Sequence, residues 1–307
     1  MEDFKLNTPV AFIIFNRPDT TKIVFEEIRK AKPKQFFIIA DGPRKNKIGE
    51  DKICEQTRAI VENIDWECDV KRNYSDINLG CKKRVSSGIS WVFENVDRAI
   101  FIEDDCLPDQ SFFRYCQELL EYYKDREEVM LISGNKVLSD YEVKNYSYYF
   151  SRFAHIWGWA SWRRVWQKYD VSMSDWAEIN QLQFLKNILN NKKAVKYWKT
   201  IYDEVYNGDI NTWDYQLEYT IWKNKGLSII PSKNLVLNIG FNNPNATHTG
   251  KAGLYGKMKL EKMTFPLSHP SEIISNIEAD ELESRLFHKL GIKKKIKNHL
   301  KKLGISI

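Results

Sequence analysis

Three acidic residues stand in a row where an apolar stretch of the chain ends. The run AIFIEDDCLPDQ, residues 99–110, carries Glu103, Asp104 and Asp105 directly after four apolar residues. Adjacent carboxylates repel each other, and they are stable together only when water solvates them or a cation bridges them. The run is therefore either a solvated turn after a strand or part of a site for a divalent cation.

A divalent cation at such a site has a specific chemical use. Magnesium and manganese ions prefer oxygen ligands and commonly take one or two carboxylates together with phosphate oxygens. When a nucleoside diphosphate is a leaving group, the cation stabilises the charge that develops on it. The chain has no GxxxxGK[ST] motif, and no GxGxxG follows its first strand, so neither a P-loop NTPase nor a Rossmann dehydrogenase is supported.

The elements around the acidic run alternate between strand and helix patterns. Buried-strand patterns fall at 10–15, 36–40, 68–74, 99–103 and 129–133, and helical patterns fall at 23–31, 53–64, 84–95 and 111–124. Strands that alternate with crossover helices predict an α/β fold with a mostly parallel central sheet flanked by helices.

Polar residues follow three of these strands. Asn16 and Arg17 follow the first strand, Asp41 follows the second, and the acids at 103–105 follow the fourth. Because ligands bind at the carboxyl ends of parallel strands, we expect these groups to gather along one edge of the sheet. The acids would then line a ligand site.

Composition indicates a folded globular protein. Of 307 residues, 43% are hydrophobic and 13% are aromatic. No apolar run approaches the roughly 18 residues of a membrane span, and the first residues are polar, so we expect neither a signal peptide nor an anchor. The five cysteines form no CxxC pair, which favours reduced thiols in a cytoplasmic protein.

The positive charge of the chain is concentrated at one end. Residues 284–307 hold eight of the 47 lysines and arginines and no acid, so the remainder has 39 bases against 41 acids. A nearly neutral globular part argues against nucleic acid as a partner.

Within this basic end, four apolar residues fall on one helical stripe. They are Ile292, Ile296, Leu300 and Leu303, and lysines occupy the other faces. A basic amphipathic helix of this kind suits an anionic membrane surface. The alternatives are a helix that packs on its own domain and one that pairs with another subunit in a homo-oligomer.

Several motifs occur in an order that resembles a known family. The segments TPVAFIIFNRP, FFIIADGP and NLGCKKRVSSGISWVFENVDRAIFIEDDCLPDQSFFRY are similar to nucleotide-sugar-dependent glycosyltransferases of the GT-A fold. The resemblance covers roughly residues 8–250 and is closest to family 2-like enzymes and the inverting N-acetylglucosaminyltransferase I group. It implies a GT-A domain, a UDP-sugar donor, and Mn²⁺ or Mg²⁺.

The resemblance also implies a division of the chain. A single domain would occupy residues 1–265, with a nucleotide-sugar-binding half at 1–150 and a helical acceptor-binding half at 151–265. Residues 266–307 would form the C-terminal basic amphipathic tail.

On the donor side, the resemblance assigns roles to the residues after the strands. Asn16 and Arg17 would lie against the nucleotide, and Asp41 would accept a hydrogen bond from the uracil imide. Glu103 and Asp104 would contact the ribose and donor sugar. The alternatives are a surface salt bridge for Arg17 and a turn role for Asp41.

Two further ligand contacts on the donor side are implied. Asp105 would be the direct metal ligand of the DxD-type motif. Lys83 and Arg84 would approach the donor phosphates, unless they mark only a solvated helix start.

On the acceptor side, the segment IWGWASW resembles a loop that follows the nucleotide-binding half. Indole faces stack well on sugar rings and glycine allows a close backbone approach, so Trp157, Gly158 and Trp159 are candidates for acceptor binding. The alternative is that the tryptophans seal the core between the halves.

The catalytic base is implied by the segment NTWDYQLEYTIW. Asp214 would take the proton of the acceptor hydroxyl, with Glu218 the alternative one helical turn later. Asp214 could instead cap the helix. In a later stretch, His248 would reach the metal or be a plain loop residue.

Together these features predict a metal-dependent, inverting glycosyltransferase. Its acceptor would be a hydroxyl of a glycan or a lipid-linked saccharide in bacterial surface polysaccharide synthesis, with the enzyme in the cytoplasm or peripheral on the inner membrane face. The alternatives are a nucleotidyltransferase that makes nucleotide sugars and a non-catalytic sugar-binding protein.

Overall fold

The computed structural model describes residues 4–241 and 258–287 of the chain. The strands are β1 (Val10–Ile14), β2 (Gln35–Ala40), β3 (Asp69–Tyr74), β4 (Arg98–Glu103), β5 (Cys106–Pro108), β6 (Val129–Ser133), β7 (Tyr148–Ser151), β8 (Trp159–Trp162), β9 (Leu227–Pro231) and β10 (Val236–Asn238). The helices are α1 (Pro18–Ala31), α2 (Glu50–Ile60), α3 (Gly80–Asn95), α4 (Gln110–Tyr122), α5 (Arg163–Trp166), α6 (Gln181–Ile188), α7 (Lys192–Tyr206) and α8 (Asp214–Lys223).

Eight of the strands form one central sheet in the order β3-β2-β1-β4-β8-β6-β9-β7. Strands β3, β2, β1 and β4 are parallel, whereas β8 runs antiparallel to both β4 and β6. At the far edge β9 is parallel to β6, and β7 is antiparallel to β9. The predicted α/β fold with a mostly parallel central sheet flanked by helices is confirmed, because within this sheet only β8 and β7 run against the other strands.

The mixed directions arise from strands that the sequence did not predict. Strand β8 lies in the tryptophan-rich segment that was expected to be an acceptor-side loop, and it inserts between β4 and β6. Strands β5 and β10 form a separate two-stranded antiparallel sheet. Residues from both predicted halves therefore build the same sheet.

A column of aromatic rings connects the two predicted halves. The ring of Trp159 on β8 stacks on Phe101 of β4 at 4.5 Å and on Trp213 at 5.7 Å between centroids. Trp159 is 1% exposed, so it has no free face for a sugar. This corrects the prediction that Trp159 binds the acceptor: it is the core residue that the alternative described.

Gly158 also has a packing role. Its backbone has φ of +63°, and a Cβ atom there would lie 2.6 Å from Cγ2 of Val236 on β10. The glycine is thus required by its left-handed conformation and by the close approach of β10. Val236 occupies the space beside Gly158, so no ligand can approach the backbone there. The prediction that Gly158 binds the acceptor is therefore wrong.

The described part of the predicted tail packs against the domain. Residues 277–287 are helical. Asp280 accepts a hydrogen bond of 2.6 Å from Ser151 Oγ, and Glu283 lies 2.9 Å from His155 Nε2. The predicted amphipathic stripe at 292–303 lies outside the described residues.

Within residues 4–241 and 258–287, none of the helices combines the length and the apolar character that a bilayer crossing requires.

The two neighbouring tryptophans should differ in their contribution to stability. Trp159→Ala should lower the free energy of unfolding by about 3–5 kcal/mol, because it empties a core site. Trp157→Ala should cost about 1 kcal/mol, because Trp157 is only half-buried. Urea unfolding of both variants measures the difference. Equal losses would contradict the assignment of Trp159 to the core.

Candidate active site

A cleft opens at the carboxyl ends of β1 and β4. The chain proceeds from β1 through β2 to β3 on one side and places β4 on the other side of β1, so the loops after β1 and β4 diverge. Ligands of open α/β sheets bind at such a switch point. The cleft measures about 450 Å³, within the usual range for ligand pockets of roughly 300–1,000 Å³.

The cleft is lined by residues from both predicted halves. From the first half come Phe15, Arg17, Asp41, Arg44, Asn78, Gly80, Cys81, Arg84, Glu103, Asp104 and Asp105, and from the second come Ile156, Trp157, Asn211, Thr212, Trp213, Asp214 and Asn238. The expected gathering of polar groups at one edge of the sheet is therefore present in the structure.

The acids at the end of β4 are held by one arginine. Arg17 Nη1 donates to Asp104 Oδ1 at 3.2 Å and to Asp105 Oδ2 at 2.5 Å. The backbone amide of Phe15 donates to Asp104 Oδ2 at 3.0 Å. The loop after β1 is thus tied to the acids by a charged side chain and by its own backbone.

The acids of this cluster outnumber the arginine that contacts them. Burial and the neighbouring Asp105 and Asp104 raise the pKa of Glu103 to about 8. Burial raises the pKa of Asp104 to about 7, although Arg17 opposes the shift. Burial lowers the pKa of Arg17, but the acids outweigh it and hold that pKa above its ordinary value. One guanidinium faces three acids, two of which resist ionisation, so a bound cation would favour their charged form.

The donor set at the acids fits a magnesium or manganese ion that shares its ligands with phosphate. Glu103 Oε1 is buried and has no hydrogen-bond partner within the described residues. No group of three His, Cys, Asp or Glu side chains in that part of the chain could hold a metal. Hard cations that use one or two carboxylates and take their other oxygens from phosphate and water match this arrangement. Predicted ligand Asp105 lies at the cleft, whereas His248 falls outside the described residues.

Asp105 also contacts two residues that the sequence did not indicate, one at its backbone and one at its carboxylate. The amide of Ile239 donates to the Asp105 backbone oxygen at 2.7 Å. A Cβ atom at Gly240 would lie 2.3 Å from Asp105 Oδ2, so only glycine leaves room for the carboxylate. The need for glycine at position 240 comes from its contact with Asp105, which lies about 135 residues earlier in the chain. Neighbouring residues in the sequence therefore do not indicate it.

Asp41 lies in the cleft with both carboxylate oxygens engaged. Oδ1 accepts from the amides of Gly42 and Leu79, each at 2.9 Å. Oδ2 accepts from Asn78 Nδ2 at 3.0 Å and from the Gly80 amide at 3.1 Å. These bonds connect the end of β2 to the start of α3, which supports the turn role left open by the sequence. Contact with uracil stays a prediction, and a base would have to share these oxygens.

Asn16 has a supporting position. It is buried, and its Nδ2 donates to Glu50 Oε1 at 2.9 Å. Glu50 pairs in turn with Arg44, whose guanidinium lies 5.5 Å from the Phe15 ring centroid in the cleft. Asn16 therefore does not line the cleft, which corrects its predicted contact with the nucleotide, whereas Arg44 does line it.

The two basic residues of α3 that were predicted to bind phosphate differ in their positions. Arg84 lines the cleft and donates to the backbone and side-chain oxygens of Asn73, each at 2.9 Å. Burial lowers the pKa of Arg84. Lys83 is exposed and points away from the lining residues, because one residue of helix turns the side chain by about 100°. Its predicted phosphate contact is corrected.

Asp214 stands at the first turn of α8 and lines the cleft. The residue before it, Trp213, is the N-cap, and no side-chain capping bond is present there. The hydroxyl of Thr212 donates to Asp214 Oδ1. Asp214 is therefore not the helix cap, and its carboxylate is directed by Thr212 at the end of the aromatic column.

Glu218, the alternative base, does not line the cleft. It is one turn along α8 from Asp214, is 5% exposed, and lines a neighbouring cavity rather than the cleft. Trp157 lines both spaces. Acceptor binding by Trp157 stays a prediction.

Sequence comparison finds no matching family model and no matching curated protein. The structure is similar to mannosyltransferase PcManGT from Pyrobaculum calidifontis in complex with GDP-Man and Mn²⁺, with 10% identity and a TM-score of 0.38 over 55% of this chain and 48% of that chain. It is similar to a UDP-glucose pyrophosphorylase complexed with UDP-glucose, with 10% identity and a TM-score of 0.31 over 53% and 78% of the two chains. It is also similar to 4-diphosphocytidyl-2C-methyl-D-erythritol synthase from Anaerococcus prevotii, with 9% identity and a TM-score of 0.33 over 57% and 78%. The chain spans about half the length of the mannosyltransferase.

Replacing the predicted metal ligand should remove metal-dependent binding. Asp105→Asn keeps the shape of the side chain and removes its charge, so the affinity for UDP in the presence of Mn²⁺ should fall at least about tenfold. Titration calorimetry with and without Mn²⁺ measures this. Asp97→Asn, at an exposed acid outside the cleft, is the control and should bind as the parent protein does. Unchanged Mn²⁺ dependence in Asp105→Asn would contradict the assignment.

Proposed function

We propose that the protein is a metal-dependent, inverting glycosyltransferase. It moves a sugar from a UDP-sugar to a hydroxyl group of a glycan or glycolipid acceptor. The observation that carries this proposal is the meeting of two chemistries in one cleft. Acids and arginines at β1 and β4 suit a diphosphate with its cation, and Asp214 reaches the same cleft from the second half of the chain.

The nucleotide end of the cleft is proposed at Phe15, Arg44, Asp41 and Asn78. The Phe15 ring and the Arg44 guanidinium offer flat surfaces for a base. The Asn78 amide and the Asp41 carboxylate offer hydrogen-bond groups to its edge. Uracil is the base that we infer here.

The diphosphate and the donor sugar are proposed to lie beside the acids at the end of β4. Asp105, with Asp104 or Glu103, would hold Mn²⁺ or Mg²⁺. When bound, the cation supplies positive charge at the diphosphate leaving group. Arg17 and Arg84 add fixed positive charge to the same cleft.

The transfer step forms one bond, breaks another and moves one proton. The acceptor oxygen forms a bond to the anomeric carbon, while the bond from that carbon to the diphosphate oxygen breaks and its electron pair leaves with UDP. Asp214 accepts the proton of the acceptor hydroxyl. Since the attack occurs on the face opposite the leaving group, the configuration of the anomeric carbon inverts.

The biological setting is proposed from the same chemistry. A glycan or lipid-linked saccharide as acceptor fits synthesis of a bacterial surface polysaccharide on the inner face of the membrane. The basic residues at 289–302 would hold the enzyme near anionic lipids.

A panel of nucleotide sugars tests the proposal. Thermal shift with Mn²⁺ should select a UDP-sugar, and proton NMR of the product should show the opposite anomeric configuration. Release of pyrophosphate from UTP and a sugar 1-phosphate would instead indicate a nucleotidyltransferase. Saccharide binding with no turnover of any donor would indicate a sugar-binding protein.

The proposed base has its own test. Asp214→Asn should leave the donor dissociation constant unchanged and lower kcat by about a hundredfold or more, because a positioned base contributes about that much. Asp209→Asn, at an exposed acid near the same loop, is the control and should keep the parent kcat. Near-normal transfer by Asp214→Asn, or retention of configuration in the product, would exclude Asp214 as the base.

A further inference from the structure

A second cavity adjoins the cleft at Asp214. It measures about 210 Å³, and Ile156, Trp157 and Asp214 line both spaces. At about 30 Å³ per water molecule, the cavity could hold about seven waters, which is comparable with one pyranose ring. A ligand in this cavity would therefore contact the proposed base.

The lining of the cavity combines aromatic rings with a few polar groups. The remaining lining residues are Asn135, Val137, Ala154, His155, Trp198, Tyr215, Glu218 and Phe287. Aromatic rings cover the apolar faces of sugars, while amide, imidazole and carboxyl groups bond to their hydroxyls. This chemistry suits a neutral saccharide better than a phosphate, because no lysine or arginine is among the lining residues.

Glu218 is the polar group most enclosed by protein. Asp214 and Glu218 are four residues apart on α8, so they project from the same face of the helix. Glu218 Oε2 accepts a hydrogen bond of 2.7 Å from the Ala154 amide. Burial raises the pKa of Glu218 well above its ordinary value, and the nearby Glu283 and Asp214 add to the shift. The shift favours the protonated form of this carboxyl group, which has both a donor and an acceptor for a hydrogen bond.

Trp198 provides an independent indication of a ligand. It is 4% exposed and lines the cavity, and its indole Nε1 has no hydrogen-bond partner within the described residues. Leaving a buried donor unpaired costs about 1–3 kcal/mol. A hydroxyl oxygen of a bound sugar would remove that cost.

The C-terminal helical residues form part of the same wall. The Phe287 ring lies 5.8 Å from the Trp198 ring, and Glu283 lies 2.9 Å from His155 Nε2. His155 lines the cavity, whereas Glu283 stands behind it. The cavity is therefore built by residues from 135 to 287 and depends on the segment after the predicted domain boundary at 265.

We propose that this cavity is the subsite for the acceptor sugar and that Glu218 positions the acceptor through a hydrogen bond. The proposal rests on the proposed function, because it needs Asp214 to act on the acceptor hydroxyl. Glu218 is then a positioning residue one turn from the base. We assign the base to Asp214 rather than to Glu218, because Glu218 does not line the cleft in which the donor is proposed to bind.

Two substitutions at Glu218 separate positioning from simple packing. Glu218→Met keeps the approximate length of the side chain but cannot donate, so the acceptor KM should rise about tenfold or more while the donor KM stays the same. Glu218→Gln keeps an N–H donor, so it should hold the acceptor KM within about threefold of the parent value. If Glu218 served only in packing, its substitution would change the acceptor KM and the donor KM together. The Gln and Met variants would then have similar effects.

Two further variants complete the experiment. Asp280→Asn changes another buried carboxyl, which does not line this cavity, and should leave both KM values unchanged. Trp198→Phe removes only the indole N–H and part of the ring, and it should also raise the acceptor KM. If Glu218→Met does not fold, Trp198→Phe tests the subsite in its place.

The possible outcomes distinguish the two proposals. Failure of the parent protein to release UDP from any donor with Mn²⁺ would overturn the proposed function. A working parent enzyme whose Glu218→Met and Trp198→Phe variants keep the parent acceptor KM would overturn only the subsite. Equal loss of donor and acceptor use in Glu218→Gln and Glu218→Met would also overturn it.

Discussion

The contact between Arg17 and the acids at the end of β4 is the constraint on which the rest of the site depends. At 4 Å and an effective dielectric constant near 20, one pair of opposite charges attracts by about 4 kcal/mol. Removing each ion from water costs several kcal/mol, so one guanidinium does not compensate for three carboxylates. The loops after β1 and β4 are therefore held together by a cluster in which Glu103 and Asp104 resist ionisation. A ligand that carries a cation completes this arrangement better than the protein does alone.

The second half of the chain contributes the other chemical group through packing. Strand β8 enters the sheet beside β4, and Trp159 stacks between Phe101 and Trp213. Because Trp213 directly precedes Asp214, the aromatic column sets the position of the proposed base relative to the acids. The two predicted halves are therefore not separate in the fold, since strands from both build the same sheet.

The donor side was largely predictable from the sequence because its signals are local. Apolar runs that end in polar residues identified β1, β2 and β4, and parallel strands bring their carboxyl ends to one edge. The acceptor side was less predictable because its structure depends on long-range contacts. The tryptophans near 159 have the composition of a loop that stacks on sugars, but β4 and β6 pair with them. Glycines such as Gly158 and Gly240 are explained by the approach of Val236 and Asp105, which adjacent residues in the sequence do not reveal.

A crystal structure with UDP and Mn²⁺, measured at the manganese absorption edge, tests the central claim most directly. The diphosphate should lie in the cleft between β1 and β4, and an anomalous peak should lie within coordination distance of an Asp105 oxygen and of a phosphate oxygen. The uracil should contact the end of the cleft at Phe15 and Arg44. An anomalous peak away from the acids, or UDP bound outside this cleft, would contradict the proposed site and the function built on it.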